Sequence, residues 1–397
     1  MNDSSVVPAR WAYIPLAMAM SMVALSLSRL AYGLLLPFMR ADLSLSFQQA
    51  GNLGTSTSFG YLLLVLPAGY LTRRIGPRRV IISGLTIVSM GFLGMMMTSA
   101  YAWLLLWMAA LGTGTALIYT PVVSFIVGWF PNRRGLVLGL VNSGIGLGVF
   151  ICGLAVPYMA TADSDGWRQV WGLFAITSVL IGATAAWLIR NPPLRRSNTQ
   201  ITTSAAMTVY RLPTVQVLGA CYFITGFSYI VQTVFMYSYA LEAGVAENTA
   251  GAMASLAGML SLFSGLLWGA LSDYIGRGVA LFFCFSGAAV ATITPVWIPS
   301  DSGFLVHYVL SGLTVSGLFA TIVAATSEQS DSANVPIAIG FVTTLFATGQ
   351  LIGPAVAGWI IELNNSFRFA FILSATSMLV GAVLSLRLKK LNGYNRR

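Results

Sequence analysis

Long apolar blocks follow one another along this chain, and a short polar or glycine-containing break separates each block from the next. Each block holds about 20 residues, which is the length that a helix needs to cross ~30 Å of hydrocarbon. Lipid offers no partners to backbone amides, so spanning segments are helices or the strands of a closed barrel. Barrel strands would alternate apolar and polar residues over about 10 positions, whereas these blocks are continuous. The pattern predicts an all-α integral membrane protein with about twelve transmembrane helices.

The composition agrees with a membrane location. Of the 397 residues, 57% are apolar and 8% are charged, whereas a soluble domain carries roughly a quarter charged residues. The first block begins near Trp11 and lacks the short apolar core and the cleavage site of a signal peptide, so we interpret it as a retained span. Cys152, Cys221 and Cys284 fall inside predicted spans without a paired spacing, which indicates buried structural cysteines.

The basic residues predict the topology. An even number of spans places both termini on one side, and the positive-inside rule identifies that side as cytoplasmic. Most of the 21 basic residues lie on the side of the termini, while Arg40, Arg168 and Arg368 lie at the opposite ends of spans. We therefore predict a multi-pass protein of the bacterial inner (plasma) membrane with both termini in the cytoplasm. The net charge of +10 is spread over several short loops, so it does not indicate a nucleic-acid partner.

An internal repeat divides the chain into two halves. The longest hydrophilic stretch, residues 191–212, predicts a cytoplasmic linker between an N-terminal six-helix bundle at 1–190 and a C-terminal one at 213–397. The segment from Gly69 to Gly76 recurs at Gly269 to Gly276. Because both halves begin on the cytoplasmic side, they are predicted to be parallel repeats related by an axis along the membrane normal.

The repeated segment resembles the signature of the major facilitator superfamily of secondary transporters, and the resemblance covers essentially the whole chain. Gly69-Tyr-Leu-Thr-Arg-Arg-Ile-Gly76-Pro-Arg-Arg79 is similar to Gly-x-x-x-Asp-Arg-x-Gly-Arg-Arg, with Arg73 at the acidic position. The second copy keeps Asp273, Gly276 and Arg277 but has Tyr274 where arginine is usual. The resemblance implies a cytoplasmic latch, in which a carboxylate forms charge-assisted bonds in one conformation only.

Further segments narrow the resemblance to the poorly defined YbfB/YjiJ-like bacterial branch: span one, the loop Phe130-Pro-Asn-Arg-Arg-Gly135, and Gly349-Gln-Leu-Ile-Gly353-Pro354. Glycines at a spacing of four either pack membrane helices closely or, with a nearby proline, provide a hinge. The gating residues predicted from these motifs are Gly69, Arg74, Gly76, Arg78, Asp273, Gly276, Arg277, Gly353 and Pro354.

Arg29 is the one basic residue inside a predicted span. A charge near the membrane interior costs at least ~2.5 kcal/mol on insertion scales, so it is kept where something compensates. Its segment, Arg29 to Pro37, resembles the first span of organophosphate-type facilitators, in which an arginine binds the anionic group of the substrate. A second arginine comes from span seven in those transporters, whereas Tyr229 stands there here, so a single carboxylate is favoured over a phosphate. The alternative is that Arg29 snorkels to the outer interface or bonds to a backbone carbonyl.

Several other polar residues inside spans are candidates for a substrate site. Tyr32 lies one turn from Arg29 and is predicted to donate a second bond to the anion. The remaining candidates, which alternatively bridge helices, are Tyr119, Asn142, Tyr229, Gln232 and Gln350. Every acidic residue lies in a loop or at the end of a span. Proton coupling would then use a proton carried by the substrate or titration of Asp42 or His307, although for His307 an interfacial position is the favoured interpretation.

The sequence contains no Walker glycine loop, no Ser/His/Asp or Cys/His arrangement and no metal-ligand cluster, so we predict a transporter without a cofactor, not an enzyme. The first hypothesis is a facilitator, exchanger or symporter of a small organic anion, a carboxylate, with Arg29 as the anion anchor and alternating access by rocking of the two halves. Its partners would be the substrate, protons and membrane lipid, and it would act as a monomer. The alternatives are an exporter of apolar or cationic compounds, with a structural Arg29, and a sensor or scaffold without transport.

Overall fold

The computed structural model describes residues 11–130, 133–163, 165–192, 209–329 and 335–394, without the side chains at 134, 336 and 389–394. Within these residues the fold consists of twelve long helices, which is the number predicted. Their bounds are α1 Tyr13–Leu43, α2 Phe47–Ile75, α3 Pro77–Met97, α4 Tyr101–Trp129, α5 Arg134–Ala160, α6 Gly166–Leu188, α7 Pro213–Glu242, α8 Glu247–Ile275, α9 Arg277–Trp297, α10 Asp301–Ser327, α11 Val335–Asn364 and α12 Arg368–Tyr394.

Eleven of these helices are long and apolar enough to cross a membrane. The twelfth, α2, is 29 residues long, or roughly 44 Å at 1.5 Å per residue, which exceeds the hydrocarbon thickness. Its first half carries a run of amide and hydroxyl side chains, which lowers its hydropathy. Some of these groups bond within the protein, as when the Ser56 hydroxyl donates to the Leu105 carbonyl of α4 at 2.7 Å. The polar face of α2 is therefore turned towards other helices.

The chain divides into two compact units. Unit 1 comprises Met1–Leu45 and Asn52–Arg195, and unit 2 comprises Ser46–Gly51 and Arg196–Arg397. Equivalent helices pack on each other in both units: α1 on α5 and α3 on α6 in unit 1, and α7 on α11 and α9 on α12 in unit 2. The repeat inferred from the motifs is thus a repeat of helix packing. Most of the predicted linker, residues 191–212, lies outside the described residues.

The same turn occurs at equivalent positions of the two units. Gly76 connects α2 to α3 with φ at +86°, and Gly276 connects α8 to α9 with φ at +91°. Residues that carry a side chain rarely adopt a positive φ. This explains why both copies of the motif have glycine at this position.

Glycines also permit close helix contacts in both units. A Cβ atom at Gly112 of α4 would lie 1.8 Å from the Thr57 carbonyl oxygen of α2. In unit 2, a Cβ at Gly353 of α11 would lie 2.7 Å from the Phe227 carbonyl oxygen of α7. Backbone contacts this short need a residue without a side chain. Gly353 and the adjacent Pro354 therefore lie in a tightly packed part of α11, and their predicted role in gating stays a prediction.

Candidate functional site

The first helix changes its hydrogen-bonding register shortly before Arg29. Residues Met22–Leu30 form a π-helical segment within α1, and the Ala31 amide bonds to the Ser26 carbonyl five residues earlier. The Ser28 hydroxyl likewise donates to the Val23 carbonyl at 2.7 Å. Segments of π-helix are rare and are found frequently at functional sites. Arg29 is thus presented from an irregular segment of an otherwise α-helical span.

The Arg29 side chain lies inside unit 1. Its residue is only 6% exposed, whereas a side chain that snorkelled to the membrane interface would be exposed. The guanidinium reaches α2, where Nη2 lies 3.4 Å from the Ser58 hydroxyl and the central carbon lies 4.8 Å from the centroid of the Tyr61 ring. The face of an aromatic ring attracts a cation. The charge is therefore held between a hydroxyl and an aromatic ring, away from lipid.

A group of polar side chains extends from Arg29 across unit 1. The Tyr61 ring faces the Arg29 guanidinium and lies near Tyr119, and the Tyr119 hydroxyl donates to Asn142 Oδ1 at 2.7 Å. These residues belong to α1, α2, α4 and α5, so the structure brings three of the predicted site residues into one group. We call Arg29, Ser58, Tyr61, Tyr119 and Asn142 the arginine cluster.

Ser58 and Tyr61 were not predicted from the sequence. The available signal was the polar first half of α2, which includes the consecutive residues Thr55, Ser56, Thr57 and Ser58. A polar run inside a spanning helix indicates contacts within the protein. The run does not identify the helix that it contacts, because that depends on tertiary packing.

The remaining predicted binding residues are Tyr32 in unit 1 and Tyr229, Gln232 and Gln350 in unit 2. Tyr32 is buried, with 1% of its surface exposed. Gln232 of unit 2 donates to the Ser228 hydroxyl at 3.0 Å, and Ser228 bonds in turn to Ser374 of α12. Tyr229 packs edge to face on Phe319 with 5.4 Å between ring centroids, and Gln350 is buried. Gln232 therefore bonds within α7, and Ser228 is the residue that connects α7 to α12.

The two residues proposed for proton transfer both have structural partners. Asp42 accepts hydrogen bonds from Trp167 Nε1 at 3.2 Å and from Arg168 Nη2 at 3.4 Å. His307 is buried, and its Nδ1 lies 2.9 Å from the Ala291 carbonyl oxygen of α9. Asp42 therefore connects α1 to α6, and His307 connects α10 to α9.

The predicted latch forms an ion-pair cluster in unit 2. Arg277 Nη2 lies 2.7 Å from Glu328 Oε1, and Arg277 also pairs with Asp273 and donates to the Ser272 hydroxyl. The sequence identified Asp273 and Arg277 but missed Glu328, which follows α10 far along the chain. The cluster joins the turn at Gly276 to the end of α10.

The first copy of the turn uses uncharged partners. The Arg78 backbone amide donates to Asn191 Oδ1 at 3.1 Å, and Arg78 Nη2 donates to the Ala186 carbonyl at 2.6 Å. Arg74 is exposed at the end of α2, and open space surrounds the position that a Cβ atom would take at Gly69. With arginine at position 73 in place of the usual acid, an asparagine amide contacts this turn in unit 1. Of the next motif, Pro131 and Asn132 lie outside the described residues.

In the described part of the chain, no group of three or more His, Cys, Asp or Glu side chains is placed to hold a metal ion. The three cysteines are buried, as predicted.

Comparisons with known proteins show which family the chain matches. The model of the family described as uncharacterised MFS-type transporter YbfB matches residues 21–386. The hexuronate transporter of Bacillus subtilis (strain 168) is 24% identical over 88% of this chain and 87% of its own length. The oxalate:formate antiporter of Oxalobacter formigenes is 24% identical over 80% and 77%. The agnestins efflux protein AgnL12 of Paecilomyces divaricatus is 25% identical over 80% and 73%.

Solved structures agree on the fold. The crystal structure of a bacterial homologue of the human lysosomal transporter Spinster superposes with a TM-score of 0.76, at 16% identity, over 97% of this chain and 96% of that chain. The match of the family model to most of the chain, together with the twelve-helix fold, establishes that this multi-pass membrane protein is a transporter of the major facilitator superfamily and belongs to the family of the uncharacterised MFS-type transporter YbfB.

Proposed function

We propose that the protein moves a small organic anion, a carboxylate, across the membrane, with Arg29 as the residue that binds the anionic group. The observation that carries the proposal is the position of Arg29, a buried guanidinium in the middle of α1 that contacts a hydroxyl and an aromatic ring. A planar guanidinium holds a carboxylate through two parallel charge-assisted bonds. The other members of the arginine cluster supply neutral hydroxyl and amide groups for the rest of the substrate.

The charge distribution along the helices supports an anionic substrate. In the part of the chain that the structure describes, every carboxylate lies outside the helices or close to a helix end. A buried cation in such a region favours a negative ligand over a positive one, because a cationic substrate would face the same charge as Arg29. Two of the relatives are named for anions, hexuronate and oxalate with formate, which supports the same substrate class.

For the transport cycle we propose alternating access by rocking of the two halves, with the ion-pair cluster at Arg277 as a contact that exists in one conformation only. Transport is facilitative or secondary active, and an anion that carries its own proton would allow symport without a titrating carboxylate inside a span. We further propose that the protein acts as a monomer in the bacterial inner membrane, with both termini in the cytoplasm, because basic residues concentrate at the helix ends on that side.

The substrate class can be tested by thermal-shift screening of the purified protein against a panel of carboxylates, matched alcohols and cationic drugs. A ligand that binds the folded state raises the melting temperature in proportion to the logarithm of its concentration. We expect carboxylates such as glucuronate to raise it and the matched alcohols to leave it unchanged.

Arg29→Ala should abolish the shift with carboxylates while the protein remains folded. Arg387→Ala is the matched control, since it removes the same charge from an exposed position on α12. A carboxylate shift that survives in Arg29→Ala would exclude Arg29 as the anion anchor. Stabilisation by cationic drugs alone would instead favour the exporter hypothesis.

A further inference from the structure

We infer that Thr115 of α4 is a positioning residue, which holds the π-helical segment of α1 in the register that directs Arg29 at Ser58 and Tyr61. This inference rests on the proposed function for its importance to transport. Its structural content is independent of any substrate. The residues concerned belong to unit 1 and are completely or almost completely buried.

Thr115 is bonded to the π-helical segment itself. Its hydroxyl oxygen lies 2.6 Å from the Ala24 carbonyl oxygen of α1 and 2.9 Å from the Leu111 carbonyl oxygen of its own helix. The contact to Ala24 is the shorter of the two, although a threonine in a helix ordinarily bonds within that helix. A change from α to π register disturbs the regular pairing of backbone carbonyls, and an unpaired carbonyl is costly when buried. Thr115 supplies a donor at this point.

The register determines where Arg29 points. Successive residues of an α-helix are rotated by about 100°, so a segment that gains or loses one residue of register turns all later side chains by about that angle. Arg29 is the penultimate residue of the π-helical segment. If the segment returned to α register with the preceding turns fixed, the guanidinium would turn away from Ser58 and Tyr61.

A second contact holds the same segment from α5. The Ser26 hydroxyl donates to the Ile145 carbonyl at 2.7 Å. This approach is possible because residue 148 is glycine, where a Cβ atom would lie 2.4 Å from the Ser26 Cβ. The π-helical segment is thus bonded to two neighbouring helices, and of the two contacts only Thr115 donates to a backbone carbonyl of the segment.

The test compares Thr115→Val, which keeps the shape and removes the donor, with Thr292→Val as a matched control. Thr292 is equally buried, but its hydroxyl donates at 2.7 Å to Ala288 of its own helix. In hydrogen–deuterium exchange we expect the amides of residues 22–31 to exchange about tenfold faster in Thr115→Val, to remain protected in Thr292→Val, and to regain protection in Thr115→Ser.

A double-mutant cycle on the melting temperature tests whether Thr115 and Arg29 are energetically coupled. The decreases in melting temperature caused by Thr115→Val and Arg29→Met should be non-additive, because both substitutions remove the same contact of Arg29 with α2. The decreases caused by Thr292→Val and Arg29→Met should be additive. Additive losses in the first pair, or equal exchange in Thr115→Val and Thr292→Val, would overturn the inference. If Thr115→Val does not fold, Thr115→Ala and Thr115→Ser give the same comparison.

Both readouts need no substrate, so they separate this inference from the proposed function. If carboxylates fail to stabilise the wild-type protein while exchange and coupling follow the expectation, the anion proposal falls and the positioning role of Thr115 remains. If glucuronate does stabilise the wild-type protein, its dissociation constant should rise about tenfold in Thr115→Val and stay unchanged in Thr292→Val.

Discussion

At the scale of single residues, the central feature is the Arg29 guanidinium, which is buried inside the protein. Burying a charge is costly unless hydrogen bonds or other charges compensate for the lost hydration. Ser58 offers a long hydrogen bond and Tyr61 offers a ring face, and both are neutral. A carboxylate substrate would add an opposite charge at short distance. We therefore expect Arg29 to contribute more to substrate binding than to folding.

Substitution of Tyr61 separates the two possible roles of its side chain. Tyr61→Phe keeps the aromatic face that lies 4.8 Å from the Arg29 guanidinium, whereas Tyr61→Leu removes it. Because a buried cation–π contact contributes about 1–2 kcal/mol, we expect Tyr61→Leu to weaken carboxylate binding about tenfold and Tyr61→Phe to have a much smaller effect. Glucuronate titrations followed by thermal shift would measure both. Equal weakening would mean that the hydroxyl, and not the ring, is the important group.

The sequence was sufficient to single out Arg29 but not the residues around it. Arg29 stands out because a charge in an apolar block is rare and costly. Tyr119 and Asn142 were identified as polar residues in spans, but their hydrogen bond could not be inferred from sequence alone. Ser58 and Tyr61 were missed because contacts between helices depend on packing. The π-helical register was missed because nothing in the composition of residues 22–30 distinguishes it from an α-helix.

At the scale of helices, length and apolarity predicted the elements well, since a span has to match the thickness of the hydrocarbon. The helices extend beyond the predicted blocks where polar residues continue the helix outside that thickness, as at both ends of α2. The repeat identified Gly76 and Gly276 as equivalent positions, but not that the helices continue as far as the residue before each glycine. The partner of Arg277 was not predicted, because Glu328 is separated from it by the whole of α9 and α10.

The backbone conformation at Gly276 gives a prediction for the turn between α8 and α9. A Cβ atom at Gly276 would meet no neighbour within 4 Å, so the cost of Gly276→Ala arises from its φ of +91° alone. We expect a loss of about 1–3 kcal/mol of stability, seen as a lower melting temperature. Gly269→Ala is the control, because that position is equally open but helical, and alanine favours a helix over glycine.

A melting temperature that falls equally in Gly276→Ala and Gly269→Ala would contradict this explanation of the motif. A fall in Gly276→Ala alone would support it.

At the scale of the whole molecule, the two units repeat the same helix pairs and the same turn, so each motif can be compared with its counterpart. The comparison shows that the ion-pair cluster of unit 2 has a counterpart of different chemistry in unit 1, where Asn191 contacts the turn. The asymmetry leaves unit 2 as the half with the ion-pair cluster. The sequence revealed it through Arg73, which stands where Asp273 stands in the second copy.

The predicted topology can be tested with single cysteines on opposite ends of the helices. Asn364 is exposed at the end of α11 that is predicted to lie outside the cell. Tyr274, which is 90% exposed, lies on the predicted cytoplasmic side. The native cysteines are buried, so they should give little background. In intact cells, a membrane-impermeant maleimide should label Asn364→Cys and spare Tyr274→Cys until the membrane is opened. The reverse pattern would invert the proposed orientation.

Carboxylate uptake into proteoliposomes tests directly whether Arg29 binds the substrate. The wild-type protein, Arg29→Ala and Arg387→Ala are each reconstituted as folded protein in equal amounts. We predict uptake by the wild-type protein and by Arg387→Ala, and a loss of at least about tenfold in Arg29→Ala, because a hydrogen-bonded charge contributes about 1.5–3 kcal/mol. Uptake by Arg29→Ala at the wild-type rate and with the wild-type KM would contradict the claim that Arg29 binds the substrate.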